Sequence, residues 1–117
     1  MEKFSMKNKI KLNESAEKIL NAGKAENIVS ISLEGKSSIA DYMIIATGTS
    51  NRHVIALSNQ VNIKLKNLGF QIYSIEGQRD GNWVLVDAGD VIIHLFRSEV
   101  RDFYNLDKMW STPINNI

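Results

Sequence analysis

A chain of 117 residues with 44% hydrophobic content has room for one compact domain with its own core, and for no second. Fourteen basic residues against 13 acidic ones leave a formal charge of +1, so no basic field argues for binding to a phosphate backbone. The absence of cysteine removes disulfides, thiolate metal sites and thiol nucleophiles together, and it fits a reducing cytosol.

The first residues, Met1 to Lys11, carry positive charge without an apolar run of signal-peptide length, and Glu2 with no arginine before Arg52 argues against a transit peptide. No segment approaches the roughly 20 apolar residues that span a bilayer. The expectation is a soluble, cytoplasmic protein with no membrane contact. Its domain covers residues 8–112, with 1–7 and 113–117 as flexible tails, and the sole proline, Pro113, marks where the chain leaves the fold.

Leu12, Ala16, Ile19 and Leu20 recur at helical spacing, with Asn13 or Ser15 as a cap and Gly23 as a stop. Residues 27–33 then read as a strand that alternates after Ile28, and 34–38 as a turn. Residues 42–47 have no polar alternation, which suits a strand covered on both faces. After Gly48, a helix capped by Thr49 or Ser50 carries Val54, Leu57, Val61, Leu65 and Leu68 as its apolar stripe and closes at Gly69. Residues 70–75 resume a strand, so 42–75 reads as a parallel, right-handed strand-helix-strand unit.

A hairpin follows the polar connection 76–81. With its turn centred on Ala88-Gly89, Val86 faces Val91, Leu85 faces Ile92 and Trp83 faces His94. Alternation sorts Val84, Val86, Val91, Ile93 and Leu95 onto one purely apolar face. The other face mixes Trp83, Leu85, Asp87, Asp90, Ile92, His94 and Phe96, the composition of a surface that meets something. Residues 99–110 finish with helical turns carrying Val100, Phe103, Tyr104, Leu106, Met109 and Trp110. The fold class is therefore α/β, a mixed sheet of about five strands with one parallel crossover, a C-terminal hairpin and flanking helices.

Four constellations carry candidate chemistry or recognition. Thr47, Gly48, Thr49 and Ser50 lie between a buried strand and a helix N-terminus, where backbone amides converge on an anion; a turn there also needs glycine and a hydroxyl cap for structural reasons alone. Asp41, Asp87 and Asp90 invite a metal or acid-base reading, but no pair of carboxylates stands one residue apart, and turn chemistry accounts for Asp87 and Asp90. His94 lacks a serine or cysteine in a nucleophile setting, so its place beside Trp83 suits a ring pair at a binding surface. Arg97, Arg101 and Tyr104 supply guanidinium and aromatic groups of the kind that anchor protein partners. No catalytic residue, metal ligand or cofactor site follows from these patterns.

Residues 41–54 (DYMIIATGTSNRHV), Glu76-Gly77, residues 83–96 (WVLVDAGDVIIHLF) and residues 101–110 (RDFYNLDKMW) occur in one order and spacing. With them the chain resembles the ribosomal silencing factor family, the Iojap-like proteins, from about residue 8 to 110. Asp107 and Met109 stand where the family more often has glutamate and leucine. The resemblance implies a nucleotidyltransferase-like fold from which the catalytic carboxylates are missing, and no enzymatic step. It implies a translation repressor that binds ribosomal protein fourteen of the large subunit, blocks joining of the small subunit when nutrients are short, and assists large-subunit maturation. The partner-binding candidates are Glu76, Trp83, Asp87, Asp90, His94, Arg97, Arg101 and Tyr104. A neighbouring rRNA contact and a homodimer of the free protein also belong to this reading. The competing readings are a nucleotide-binding or metal-dependent enzyme of related fold, and direct RNA binding with steep salt dependence.

Overall fold

A computed structural model describes residues 6–35 and 38–100. Its elements are α1 (Met6–Ala22), β1 (Glu26–Ser32), β2 (Tyr42–Gly48), α2 (Asn51–Asn67), β3 (Ser74–Glu76), β4 (Trp83–Asp87) and β5 (Val91–Arg97). The strands form one five-stranded sheet in the order β1-β2-β5-β4-β3. Among the described residues, only β2 and β5 pair in parallel.

That order corrects the expected neighbour of β2. β3 runs in the same direction as β2, as a crossover through α2 requires, but β5 and β4 lie between them. The reason is length and apolarity. β5 is seven residues long and largely buried, so it takes the central place, whereas β3 has three residues and only β4 as a partner. β3 is also shorter than residues 70–75 suggest. The Phe70 amide is spent on Leu65 O, closing the end of α2, and the ladder begins only where Tyr73 N donates to Asp87 O.

Both helices cover one face of the sheet. Leu12, Ala16, Ile19 and Leu20 of α1 and Val54, Leu57, Val61 and Leu65 of α2 pack on Ile44, Ala46, Val84, Val86, Val91, Ile93 and Leu95. These are the stripes that the sequence spacing predicts. Leu68 is the exception: it lies just past the end of α2 and is exposed. The expected cap of α1 is also wrong, because Asn13 and Ser15 sit inside the helix. Asn13 is buried and turned toward β1, where its Nδ2 donates to Ser30 Oγ at 2.9 Å. A residue type favoured at helix starts here ties a helix interior to a strand.

Ser50 caps α2 from an extended conformation, its Oγ accepting from His53 N at 3.1 Å. Ser50→Ala is expected to lower stability by about 1 kcal/mol. Urea unfolding checks it; an unchanged midpoint would mean that the cap contributes nothing.

Candidate functional site

The other face of the sheet carries a second apolar cluster: Ile31, Leu33, Ala40, Met43, Ile45 and Phe96 are buried, with Val29, Trp83, Ile92 and Val100 packed around them. This face includes the mixed side of the hairpin. The hairpin register, however, differs from the expected one by two residues. Trp83 pairs with Phe96, Leu85 with His94 and Asp87 with Ile92, because the turn is centred one residue later, on Gly89-Asp90: Ala88 N donates to Val91 O, and Gly89 has φ +84°. A shift of two leaves every side chain on its expected face. Val84, Val86, Val91, Ile93 and Leu95 are indeed fully buried under the helices.

On the mixed face three rings form one unit. Trp83 lies 4.9 Å from Phe96 and 5.8 Å from His94 between ring centroids, and the His94 and Phe96 rings stack at 6.1 Å. Trp83 Nε1 donates to His94 Nδ1 at 2.9 Å, a diagonal contact across the ladder. Indole nitrogen can only donate, so His94 is neutral with its proton on Nε2. Burial, at 7% exposure, pushes the imidazole down to about 4. His94 therefore orients the indole from below while Trp83, Leu85 and Ile92 stay half-buried.

The carboxylates gather at the turn end of β5. Asp87 Oδ1 accepts from Gly89 N at 2.8 Å, the turn role that its residue type suggested. Asp90 contributes its carbonyl to the amides of Asp41 and Tyr42, joining the turn to the start of β2. Lys9 Nζ reaches Asp41 at 3.0 Å. Burial lifts the Asp90 carboxyl above its ordinary value; Lys9 opposes the rise, while the charge of Asp41 and a hydrogen bond with it add to it. Glu76 is exposed, opposite Leu85 on β3.

Arg97 sits at the far end of β5, about 20 Å from Val91 at the usual rise per residue. Its Nε donates to Asn82 Oδ1 at 2.9 Å, and its guanidinium pairs with Glu99 at 3.2 Å. Asn82 also accepts from Asn51 Nδ2 at 2.8 Å, so it clamps the start of α2 to the end of β5. In the parallel register Arg97 lies beside Gly48 and hence beside the Thr47–Ser50 turn. That turn is internally bonded. Thr49 N donates to His53 Nδ1 at 3.0 Å, Ser50 Oγ accepts from His53 N, and His53 Nε2 is 2.9 Å from Gly23 O. Thr47 is buried.

The candidates thus form a ring unit in mid-sheet with a carboxylate end and an arginine end. Arg101 and Tyr104 lie outside the described residues, as does most of the expected helix 99–110, of which the described residues 99 and 100 are helical. Sequence reasoning passed over Asn82 and Lys9, single polar residues whose roles depend on distant partners. Phe96 was legible on this face by alternation, but not as the floor of the stack. Gly77, just past the end of β3, supports the site: at φ +89°, a side chain there would run into the carbonyl of Trp83. Among the described residues no three His, Cys, Asp or Glu side chains group as a metal site.

The sequence profile described as "Ribosomal silencing factor during starvation" matches residues 6–116, nearly the whole chain. The chain belongs to the ribosomal silencing factor family, the Iojap family. Ribosomal silencing factor RsfS of Zymomonas mobilis is 52% identical over 91 residues, spanning 78% of this chain and 68% of that protein. The Bacillus subtilis protein of the same name is 39% identical, covering 74% of each. The mouse "Mitochondrial assembly of ribosomal large subunit protein 1" is 32% identical over 96 residues, spanning 80% of this chain and 42% of that protein. A crystal structure of a Chromobacterium violaceum protein superposes with a TM-score of 0.84 at 39% identity, covering 94% of this chain and 89% of that one. Ribosomal silencing factors are not enzymes, and the turn role of Asp87 accords with this. Among the described residues no helix is long and apolar enough to cross a membrane.

Proposed function

We propose that this chain binds the large ribosomal subunit through ribosomal protein fourteen and excludes the small subunit by occupying the space between them, repressing translation in the cytoplasm when nutrients are short. The observation that carries the reading is the family match over residues 6–116. The contact surface is the half-buried apolar strip of Trp83, Leu85 and Ile92, held by His94 and Phe96 and edged by Glu76, Asp87 and Asp90. Such a strip suits recognition: apolar anchors supply affinity, and acidic neighbours steer it toward a basic ribosomal protein. Arg97 extends the contact at the far end of β5, and Arg101 and Tyr104, which lie outside the described residues, are kept as candidate contacts. An rRNA phosphate at Thr47–Ser50 would have to compete with the internal bonds of that turn. The name of the mouse relative, an assembly protein of the ribosomal large subunit, favours a second role, in maturation of that subunit.

Sucrose-gradient sedimentation of purified subunits tests the reading. The protein should travel with the large subunit and reduce the amount of joined ribosomes; travel with neither subunit would overturn the proposal. Glu76→Lys reverses an exposed charge. It is expected to weaken capture of isolated ribosomal protein fourteen roughly tenfold, about 1.4 kcal/mol. Unchanged capture would remove this end of the sheet from the interface.

A further inference from the structure

The Arg97 guanidinium is fixed along one edge and open along the other. Side chains alternate along β5, and since Phe96 belongs to the second apolar cluster while Leu95 packs under the helices, Arg97 turns to the helix side, where α2 begins. There Nε donates to Asn82 Oδ1 at 2.9 Å. Asn82 cannot swing away: the same oxygen accepts from Asn51 Nδ2 at 2.8 Å, its carbonyl accepts from Arg97 N at 3.0 Å, and Gly81 before it is buried so tightly that an added Cβ would meet Asn51 O at 2.7 Å.

In a guanidinium, Nε and Nη2 share one edge, and Nη1 and Nη2 share the other, a fork that matches the two oxygens of a carboxylate. Asn82 takes the first edge through Nε. The fork is only half used. Nη1 meets Glu99 Oε1 at 3.2 Å, Ser98 Oγ donates to the same oxygen at 3.5 Å, and among the described residues Nη2 has no partner. The Arg97 side chain is 29% exposed and that of Glu99 is 74% exposed, so a nearly fixed cation meets a carboxylate standing in water. Exposed pairs of this kind hold weakly.

We propose that Glu99 is a built-in competitor: in the free chain it occupies Arg97 through one oxygen, and on binding it gives way to a carboxylate of ribosomal protein fourteen that takes both nitrogens of the fork. The inference rests on the function proposed above and adds roles for Glu99 and Asn82. A carboxylate fits better than an RNA phosphate, because the chain's own occupant is a carboxylate and a formal charge of +1 supplies no basic surround for a phosphate backbone. Asn82 is a positioning residue. An arginine captured at an interface ordinarily loses rotamer freedom on binding, whereas here folding has already fixed it. Glu99 sets the threshold: a carboxylate that cannot reach both nitrogens does not displace it, so the pair discriminates among partners.

Capture of isolated ribosomal protein fourteen by the full chain tests the exchange. Glu99→Gln removes the competitor's charge and should tighten capture about threefold, the scale of one exposed ion pair. The sign is diagnostic, because losing an acidic group from a chain that meets a basic protein would otherwise weaken capture. Arg97→Lys keeps the charge and lacks the fork, so in that background Glu99→Gln should give no gain. Asn82→Ala should speed exchange of the Arg97 Nε proton with water, read by NMR, and weaken capture at an unchanged Arg97; Asn82→Asp, which keeps an oxygen for Nε, should restore slow exchange. Unchanged or weaker capture by Glu99→Gln overturns the proposal, as does a gain that survives Arg97→Lys. Exchange that is indifferent to Asn82→Ala overturns the positioning role. An Arg97 effect seen with whole large subunits and absent with the isolated protein assigns the fork to rRNA and overturns the proposal too. Wild type that captures no ribosomal protein fourteen removes the proposed function and this inference with it, whereas capture by wild type with no Glu99 effect removes this inference alone.

Discussion

Trp83→Ala is expected to lower the unfolding free energy by about 3 kcal/mol, the low end of the range for losing a large packed ring. Two losses combine. The indole leaves Phe96, whose ring centroid it approaches to 4.9 Å, and it leaves His94 Nδ1 as a buried acceptor without its donor. Trp83→Phe separates them, because it keeps a ring over Phe96 and removes only the N–H. That variant should cost about 1–3 kcal/mol, the penalty for a buried polar group left unsatisfied. The shift in urea midpoint at constant slope measures both. A double-mutant cycle completes the assignment: once His94 is replaced by leucine, Trp83→Phe should become nearly neutral. Strictly additive effects would show that the 2.9 Å bond contributes nothing and that Trp83 stabilises by packing alone.

The ring unit also shows why some of this protein is legible in one dimension and some is not. The purely apolar face of the hairpin follows from period-two alternation, and alternation survives the error in register because moving the turn by one residue moves the pairing by two. The register itself depended on the turn, whose Ala88–Val91 closure and left-handed Gly89 are set by geometry that Ala-Gly-Asp does not specify uniquely. Likewise Ser50 was legible as a cap because its bond is local, three residues along the chain. Asn13 was misassigned because its partner, Ser30, lies 17 residues away on a strand. The strand order escaped for the same reason. A crossover predicts direction, but which strand sits beside β2 is decided by competition among β3, β4 and β5 for a central place, a tertiary matter. His94 illustrates the limit for the site. Residue type placed it beside Trp83, whereas its burial, and hence its role beneath the indole, comes from packing that no local pattern encodes.

His94 gives the second large effect, a loss of stability on acidification. In the unfolded chain an imidazole titrates near its ordinary 6.5; in the fold, burial holds it down to about 4. The unfolded state therefore binds the extra proton first, so stability falls as pH drops below 6.5 and stops falling once the folded form protonates, near 4. Across that window the loss is on the order of 3 kcal/mol, at about 1.4 kcal/mol for each pH unit separating the two values. The geometry requires the same sign: a proton on Nδ1 would face the Trp83 N–H and break the bond. Asp90 acts in the opposite sense. Its carboxyl is raised in the fold, so on acidification the folded state takes up that proton more readily, offsetting part of the loss at the acid end of the window. Subtracting a variant isolates His94. His94→Gln keeps an oxygen that can accept from the indole and cannot titrate, so its urea midpoint should be less sensitive to pH between 6.5 and 4 than that of wild type, the two converging toward acid. Parallel pH profiles for the two proteins would mean that His94 is not held neutral, and that the ring unit is assembled some other way.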